Sequence, residues 1–185
     1  MATVTEPITA DDLMRLPDNG DRLELVRGEV VRMPPPGAFH GTFGSNLLEM
    51  LAPFVRSRRL GICNSEAGFL LSRDPDTVRS PDAAFISRAR VESIGGIPAG
   101  YWPWAPDLAV EILSPTDVIS DAEAKAQEYL DAGSSLVWLV NPRRRQVKAF
   151  RPQQPSVILN ENDELDGGEI LPGFRRLVSE IFLGL

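Results

Sequence analysis

Two acidic residues and one lysine, far apart in the sequence, are residue types that phosphodiester chemistry uses. Asp82 follows Ser80-Pro81 at the start of a predicted strand, and Glu111 lies within a second predicted strand. Carboxylates at the ends of neighbouring strands can hold Mg²⁺, a hard cation that prefers oxygen ligands and retains several waters. Lys125, on the helix that follows, could orient such a water or offset the charge that develops on a phosphate.

Spacing alone also allows structural roles for these residues. Glu111 and Lys125 could form a plain ion pair, and Asp82 could be a turn residue after a proline. Asp121 lies four positions before Lys125 and could pair with it along one face of a helix. The residue types and their order therefore leave both a chemical and a structural interpretation open.

The strand that carries Glu111 is predicted at residues 107–114, where apolar residues alternate between two faces. Glu111 shares its face with Ala109 and Leu113. A carboxylate in such surroundings is costly to bury unless a cation, a metal ion or a hydrogen-bond donor meets it. The pattern therefore predicts a charged partner for Glu111 within the fold.

A helix that ends at Gly133 is predicted to position Lys125. Ser120 and Glu123 fit a capping box at its start, and Gly133 fits the residue that follows a helix. At about 100° per residue, Lys125 lies on the shoulder of the apolar stripe and could point toward the strand end that holds Glu111. The predicted packing stripe consists of Ile119, Ala122, Ala126, Tyr129 and Leu130.

The remaining chain predicts an α/β or α+β fold in which helices flank a mixed central β-sheet. An N-terminal β-hairpin is expected at residues 22–33 and a long helix at 39–58, whereas residues 74–82 read as a polar turn. Residues 88–105 form the longest irregular segment, either a lid, a partner surface or a packed loop. Further strands are expected at residues 135–141 and 146–151, and a short helix at 174–183. A single domain over residues 1–185 accommodates this order.

Composition excludes several classes of function. The 185-residue chain carries a net charge of −7, which argues against strong non-specific adhesion to nucleic acid or anionic membrane but allows a local basic patch. Cys63 is the only cysteine and His40 the only histidine, so an intrachain disulfide and a zinc site rich in cysteine or histidine are excluded. No signal peptide or membrane span is recognisable, and a cytoplasmic location is expected.

Three segments together resemble the Uma family of restriction-endonuclease-like proteins, a branch of the PD-(D/E)XK nuclease superfamily. They are RLELVRGEVVRMPPPGAFH, SPDAAFIS and PDLAVEILSPTDVISDAEAKAQEYLDAGSSLVWLVNP, and the resemblance spans roughly residues 23–147. It implies a restriction-endonuclease-like core with a Mg²⁺ site at one strand end, where Mn²⁺ could substitute. It also implies DNA as the substrate, and the superfamily suggests a homodimer.

The resemblance assigns roles to individual residues. Asp82 matches the PD aspartate and Glu111 the acidic residue of the second half-motif, and both are implied metal ligands. The usual superfamily lysine would stand two positions after Glu111, where this chain has Leu113. The Uma family places its lysine on the next helix, which Lys125 matches.

Two further residues fall within the resembling segments. His40 could bind phosphate or carry a proton near the site, or it could be an exposed or capping residue at a helix start. Glu24 could join the site as an auxiliary carboxylate, or it could be a solvent-facing hairpin residue, which the strand pattern alone favours. Both are counted among the candidate catalytic residues.

The sequence supports two functional hypotheses. The first is a Mg²⁺-dependent endonuclease that hydrolyses phosphodiester bonds in DNA, with Asp82, Glu111 and Lys125 at its centre. The second is a nuclease-like fold without catalysis that serves as a binding or assembly module. Leu113 and the acidic pI support this second hypothesis. The basic run at residues 143–145 could contact phosphates, although such a run is more often a solvated turn.

Overall fold

The alternating apolar segments form β-strands in the computed structural model, which describes residues 7–17, 20, 22–35 and 37–184. Within these residues the strands are β1 (Arg22–Val26), β2 (Glu29–Met33), β3 (Gly61–Asn64), β4 (Phe69–Ser72), β5 (Thr77–Arg79), β6 (Ala83–Ser87), β7 (Leu108–Ile112), β8 (Leu136–Asn141), β9 (Gln146–Phe150), β10 (Val157–Leu159), β11 (Glu164–Asp166) and β12 (Arg175–Leu177).

The described residues also form four α-helices, the first of which precedes β1. They are α1 (Ala10–Arg15), α2 (Ala38–Arg58), α3 (Arg88–Ser93) and α4 (Ile119–Asp131), and a short 3₁₀ helix follows at Val178–Phe182. The helix α1 begins with a capping box, in which Thr9 and Asp12 satisfy each other's backbone N–H groups. Among the described residues, none of the helices combines the length and hydropathy that a bilayer crossing demands.

The central sheet is mixed, as the sequence predicts. Its strand order is β10-β9-β8-β7-β6-β3, with β7 and β8 parallel and the other neighbours antiparallel. Helix α2 covers one face, where its apolar stripe packs against alternate residues of β6, β7 and β8. Helix α4 covers the other face, where Ala126 and Tyr129 contact Ala109 and Val137. The β7-α4-β8 crossover therefore places α4 against the face of β7 that carries Glu111.

A second sheet, in the order β2-β1-β5-β4, contains the predicted N-terminal hairpin. The polar turn predicted at residues 74–82 is wrong in part, because residues 77–79 form β5 and pair with both β1 and β4. In the register of this sheet, Leu25 faces Val78 across the strand pair. Burial of Leu25 and Val78 with Leu13 of α1 gives the second sheet its own small apolar core.

The structure changes several other details of the predictions. Helix α4 begins at Ile119 after Val118, with no side-chain cap, so the predicted Ser120 capping box is wrong. Ile119 is 44% exposed and does not belong to the packing stripe. Gly133 has a φ of +100° directly after the helix, which confirms the predicted stop.

Two further segments, one predicted as irregular and one predicted as a helix, also differ from the prediction. Residues 88–105 include α3, whose residues are not buried, and a buried Trp102 that bridges to Phe69 of β4, so the aromatic end of this segment is anchored to the second sheet. The predicted C-terminal helix at residues 174–183 is instead β12 followed by the 3₁₀ helix. Of its expected inward residues, Ile181 and Phe182 are buried and Leu177 is exposed.

Candidate active site

Strand pairing between β6 and β7 brings the two predicted metal ligands together. Asp82 directly precedes β6, whose first residue Ala83 pairs with Val110 of β7. The Asp82 backbone N–H donates to the Val110 carbonyl at 3.0 Å, and Ile112 N–H donates to Asp82 Oδ2 at 2.7 Å. Backbone geometry therefore fixes the Asp82 carboxylate beside the strand position of Glu111.

Helix α4 supplies two donors to Glu111 from one side of the helix. Lys125 Nζ lies 3.0 Å from Glu111 Oε2, and the Tyr129 hydroxyl donates to Glu111 Oε1 at 2.8 Å. Lys125 and Tyr129 are four residues apart and so face the same direction. The structure therefore gives Glu111 the cationic partner that its strand environment predicts. Among the described residues, Lys125 pairs with Glu24 and Glu111 rather than with Asp121.

Glu24 is the third carboxylate of the cluster and is only 1% exposed. The register of β1 and β5 places it across from Arg79, whose Nη1 donates to Glu24 Oε2 at 2.9 Å. Glu24 Oε1 accepts from Ser80 N–H at 3.0 Å and from Lys125 Nζ at 3.0 Å. The interpretation of Glu24 as a solvent-facing hairpin residue is therefore wrong.

His40, in the first turn of α2, reaches the same cluster from the opposite face of the sheet. Its Nε2 lies 3.1 Å from Asp82 Oδ2, and a guanidinium nitrogen of Arg22 lies 3.3 Å from Asp82 Oδ1. His40 is thus neither a solvent-exposed residue nor a helix cap. All five predicted site residues meet at one end of the central sheet, while their catalytic roles stay predictions.

Sequence reasoning missed Arg22, Arg79 and Tyr129 as members of the cluster. Arg22 shares a face of β1 with Glu24 at a spacing of two, which was the available signal. Tyr129 stands four residues after Lys125 and was assigned to packing alone. Arg79 carried no signal, because its segment reads as a polar turn until β5 pairs with β1.

An open cleft of about 470 Å³ lies over this largely buried cluster, and its lining includes Glu24, His40, Asp82, Glu111 and Lys125. The connections that precede α2 and α4 form its rims, with Pro34-Pro35 on one side and residues 116–118 on the other. Leu113 also lines this cleft, at the position where the superfamily pattern has its lysine. Lys125 lines the same cleft, with its ammonium group 3.0 Å from Glu111.

Comparison with protein families gives a match over residues 10–179 to Uma2, which is described as "Putative restriction endonuclease". The chain belongs to the Uma2 family. This membership confirms the resemblance seen in the sequence, and the family description supports a nuclease-like function for the chain. No curated protein matches this sequence.

A solved structure shares the fold of this Uma2 protein. It is a crystal structure described as "a putative nuclease belonging to DUF820" from Anabaena variabilis ATCC 29413. The two chains are 23% identical, with a TM-score of 0.83 over 95% of this chain and 98% of the other. The likeness confirms the predicted mixed α+β architecture.

Burial and neighbouring charges separate the pKa values of the two carboxylates that face each other in the Uma2 cleft. Burial raises the pKa of Glu111 to about 7; the charges of Asp82 and Glu24 act in the same direction, and Lys125 opposes them. Burial also acts to raise the pKa of Asp82, but His40, the Ile112 N–H and Arg22 outweigh it and lower that pKa below its usual range. Glu111 is therefore the acid whose protonation state a further cation would change most.

Two basic residues of the cluster, Lys125 and His40, have pKa values raised above their ordinary values. Burial acts to lower the pKa of Lys125, but the charges of Glu111 and Glu24 outweigh it and raise that pKa above its ordinary value. The hydrogen bond to Asp82 raises the pKa of His40. Lys125 is therefore an ammonium group at neutral pH, which can donate hydrogen bonds and cannot act as a general base.

The carboxylates retain acceptor capacity for a divalent cation. An ionised carboxylate offers about four lone-pair positions, and Asp82 meets three donors, from Arg22, His40 and Ile112. Within the described residues, no three or more His, Cys, Asp or Glu side chains are arranged as metal ligands. Asp82 and Glu111 together offer two carboxylates with oxygen lone pairs to spare, the ligand type that a hard cation such as Mg²⁺ takes in proteins.

Proposed function

We propose that this Uma2 protein is a Mg²⁺-dependent endonuclease that hydrolyses phosphodiester bonds in DNA, with Mn²⁺ as a substitute cation. One observation carries the proposal: Asp82, Glu111 and Lys125 line a single cleft, with the Lys125 ammonium 3.0 Å from Glu111. The Uma2 family description supports this class of reaction.

Asp82 and Glu111 would hold the cation through their free lone pairs. When bound, Mg²⁺ would polarise the scissile phosphate and lower the pKa of a water. Tyr129 and the Ile112 N–H keep the two carboxylates in place, because each donates to one of them at 2.8 Å or less. The protein therefore holds its acidic groups before substrate arrives, which lowers the reorganisation cost of the reaction.

Lys125 serves as a positive donor beside the attacking water. Its raised pKa keeps it charged, so it orients the water and offsets charge on the phosphate rather than taking a proton. Glu24 holds Lys125 from the side opposite Glu111, with its Oε1 at 3.0 Å from Nζ. His40 fixes Asp82 and stands close enough to the cleft to contact a phosphate oxygen.

The test is cleavage of supercoiled and linear DNA as Mg²⁺ or Mn²⁺ is titrated, with EDTA as a blank. Asp82→Asn is compared with Asp107→Asn, a matched change of a buried aspartate at the opposite end of the β6-β7 pair, where Asp107 accepts from Ser87 N–H at 2.7 Å. Asp82→Asn is expected to lose cleavage by about 10³-fold or more, equivalent to about 4 kcal/mol. Equal losses in both variants, or cation-independent cleavage, would count against the proposal.

A binding or assembly module without catalysis is the second candidate. Leu113 in the cleft favours it, since the superfamily pattern places its lysine there. This alternative predicts that the wild-type chain binds DNA or another partner and cleaves no DNA in any cation. Calorimetric titration with Mn²⁺ separates the two candidates further, because only the nuclease requires a cation site that Asp82→Asn abolishes.

A further inference from the structure

The turn between β8 and β9 lies at the same end of the central sheet as the carboxylate cluster. Strands β7 and β8 are parallel, and Glu111 pairs in register with Leu139. Just past the strands, Leu113 N–H donates to the Val140 carbonyl at 2.9 Å. The chain continues for two residues beyond Leu139 before it turns at residues 142–145, so the turn projects past the cleft.

Two guanidinium groups at this turn have no acidic partner among the residues that the structure describes. Arg143 and Arg144 are exposed, and in the described part of the chain neither side chain forms an ion pair or a hydrogen bond. The neighbouring Arg145 differs, because it pairs with Glu161 and covers the ring of Phe182. The tip therefore consists of one anchored arginine and two that are available to a ligand.

The cations inside the cleft are already engaged by carboxylates. Arg22 contacts Asp82, and Lys125 contacts Glu24 and Glu111. Arg79 pairs with Glu24 and with Glu128. Because the chain carries a net charge of −7, its overall electrostatic field does not attract a polyanion. Attachment of a phosphate backbone near this site needs cations that are local and unpaired.

We propose that Arg143 and Arg144 bind the DNA backbone and hold it across the end of β8 while the scissile phosphate lies over Asp82 and Glu111. This inference rests on the proposed nuclease function and names the binding surface that serves it. A guanidinium group suits the task because its planar fork donates two parallel hydrogen bonds to a phosphate.

The expected reach follows from strand geometry. At about 3.3 Å per strand residue, the turn lies about 10 Å beyond the position of Glu111. A single DNA strand advances about 3.4 Å per nucleotide along the helix axis. The two arginines would therefore contact phosphates within a few nucleotides of the bond that is cleaved.

The experiment is single-turnover cleavage of a labelled duplex in Mg²⁺, with the enzyme concentration varied at 50 and 200 mM salt. The variant is Arg143→Gln/Arg144→Gln. The charge-matched control is Arg56→Gln/Arg59→Gln, which alters two exposed arginines where α2 ends, next to the Gly61–Ser87 end of the β3-β6 pair. A third variant, Arg143→Lys/Arg144→Lys, keeps the charge and loses the planar fork.

The turn variant is expected to raise the half-saturating enzyme concentration about tenfold or more, with a much smaller change in the plateau rate. Its slope of log affinity against log salt should fall by about 1 to 2, since each lost phosphate contact removes about 0.9. The lysine variant should lie between the wild type and the glutamine variant, and the control should match the wild type.

Three results would overturn the proposal, and they are distinguishable. Equal losses in the turn variant and the control would indicate net charge alone, while an unchanged half-saturating concentration in the turn variant would refute the assigned surface; both leave the nuclease proposal standing. Absence of cleavage by the wild type in every cation would refute the nuclease function and this inference together. Thermal melting of each variant confirms that exposed substitutions leave the fold intact.

Discussion

The two faces of β7 carry opposite chemistry within one strand. Leu108, Val110 and Ile112 face α2 in a core that is apolar throughout. Between them, Ala109 and Glu111 face α4, where Glu111 meets an ammonium group and a phenol. A shift of one residue along the strand therefore moves from the apolar core to the charged cluster.

This contrast separates stability from function. Burial of apolar surface toward α2 contributes about 25 cal/mol per Å². Burial of charges toward α4 costs desolvation energy that ion pairing only partly offsets, and apolar replacements of such clusters are often as stable or more stable. A charged cluster in a cleft is thus poorly explained by stability, which agrees with the proposed role of this site in binding a cation and a phosphate.

The largest effect is expected from Lys125→Met, which leaves Glu24 and Glu111 without their shared cation. Removal of one partner from a buried ionic group costs about 3–5 kcal/mol of unfolding free energy, and DNA cleavage should be lost as well. Urea unfolding at pH 8 measures the first effect. The triple variant with Glu24→Gln and Glu111→Gln should regain stability without regaining cleavage, and a Lys125→Met protein as stable as wild type would contradict the ion-cluster account.

A pair of substitutions in β7 tests the contrast between its faces directly. Leu108→Ala should lower the unfolding free energy by about 2–5 kcal/mol through loss of packing and leave cleavage per folded molecule within a few-fold. Glu111→Gln should abolish cleavage and leave stability at pH 8 unchanged or higher. Parallel denaturation and cleavage assays measure both, and matching profiles for the two variants would remove the distinction between the faces.

The third prediction concerns the pH dependence of stability without divalent cation. The folded pKa of Glu111 is about 7 against an ordinary value of 4.5, so between these values the folded state binds more protons than the unfolded state. Stability should therefore fall by about 1–3 kcal/mol as pH rises from 5 to 8. The raised pKa of His40 acts with the same sign, because its contribution is present at low pH and lost as pH rises.

Thermal melting across this pH range, in EDTA, measures the slope, with Glu111→Gln as the control. The variant should show a flatter profile, since the group responsible is gone. A wild-type protein that becomes more stable from pH 5 to 8 would show that another titration dominates the cluster. Added Mg²⁺ should reduce the fall, because a cation favours the ionised carboxylate.

The smallest effect is expected from Arg79→Lys. Arg79 donates to Glu24 at 2.9 Å and to Glu128 at 2.7 Å, which links β5 to both β1 and α4. A lysine keeps the charge and cannot span both carboxylates with a planar fork, so a loss of about 1 kcal/mol and a reduced cleavage rate are expected. Arg175→Lys, at an exposed pair with Glu164, is the control and should change neither quantity.

Periodicity predicted the hairpin, the strand of Glu111 and the helix of Lys125, because alternation and the helical repeat are local properties. The strand β5 was missed because it is three residues long and depends on pairing with β1 and β4. The capping box at Ser120 failed because the N-cap of α4 is Val118, two residues earlier than the local pattern indicates. Element boundaries and short strands depend on partners that a local pattern does not contain.

The site shows the same division. The strand pattern alone favoured a solvent-facing Glu24, and even with the family resemblance the two interpretations of His40 stayed balanced, although both residues were counted as candidates. The structure places Glu24 across from Arg79 and His40 against Asp82. Arg22, Arg79 and Tyr129 entered only through contacts between elements that are distant in the chain.

The sequence by itself determined which residues could carry charge into the fold and on which face of a strand or helix each one lies. Only the tertiary structure decided which charges meet, which are neutralised and which, as at Arg143 and Arg144, have no partner among the described residues. The physical reason is that side-chain periodicity is set by the local backbone, whereas desolvation and Coulomb energies depend on distances between residues from separate parts of the chain.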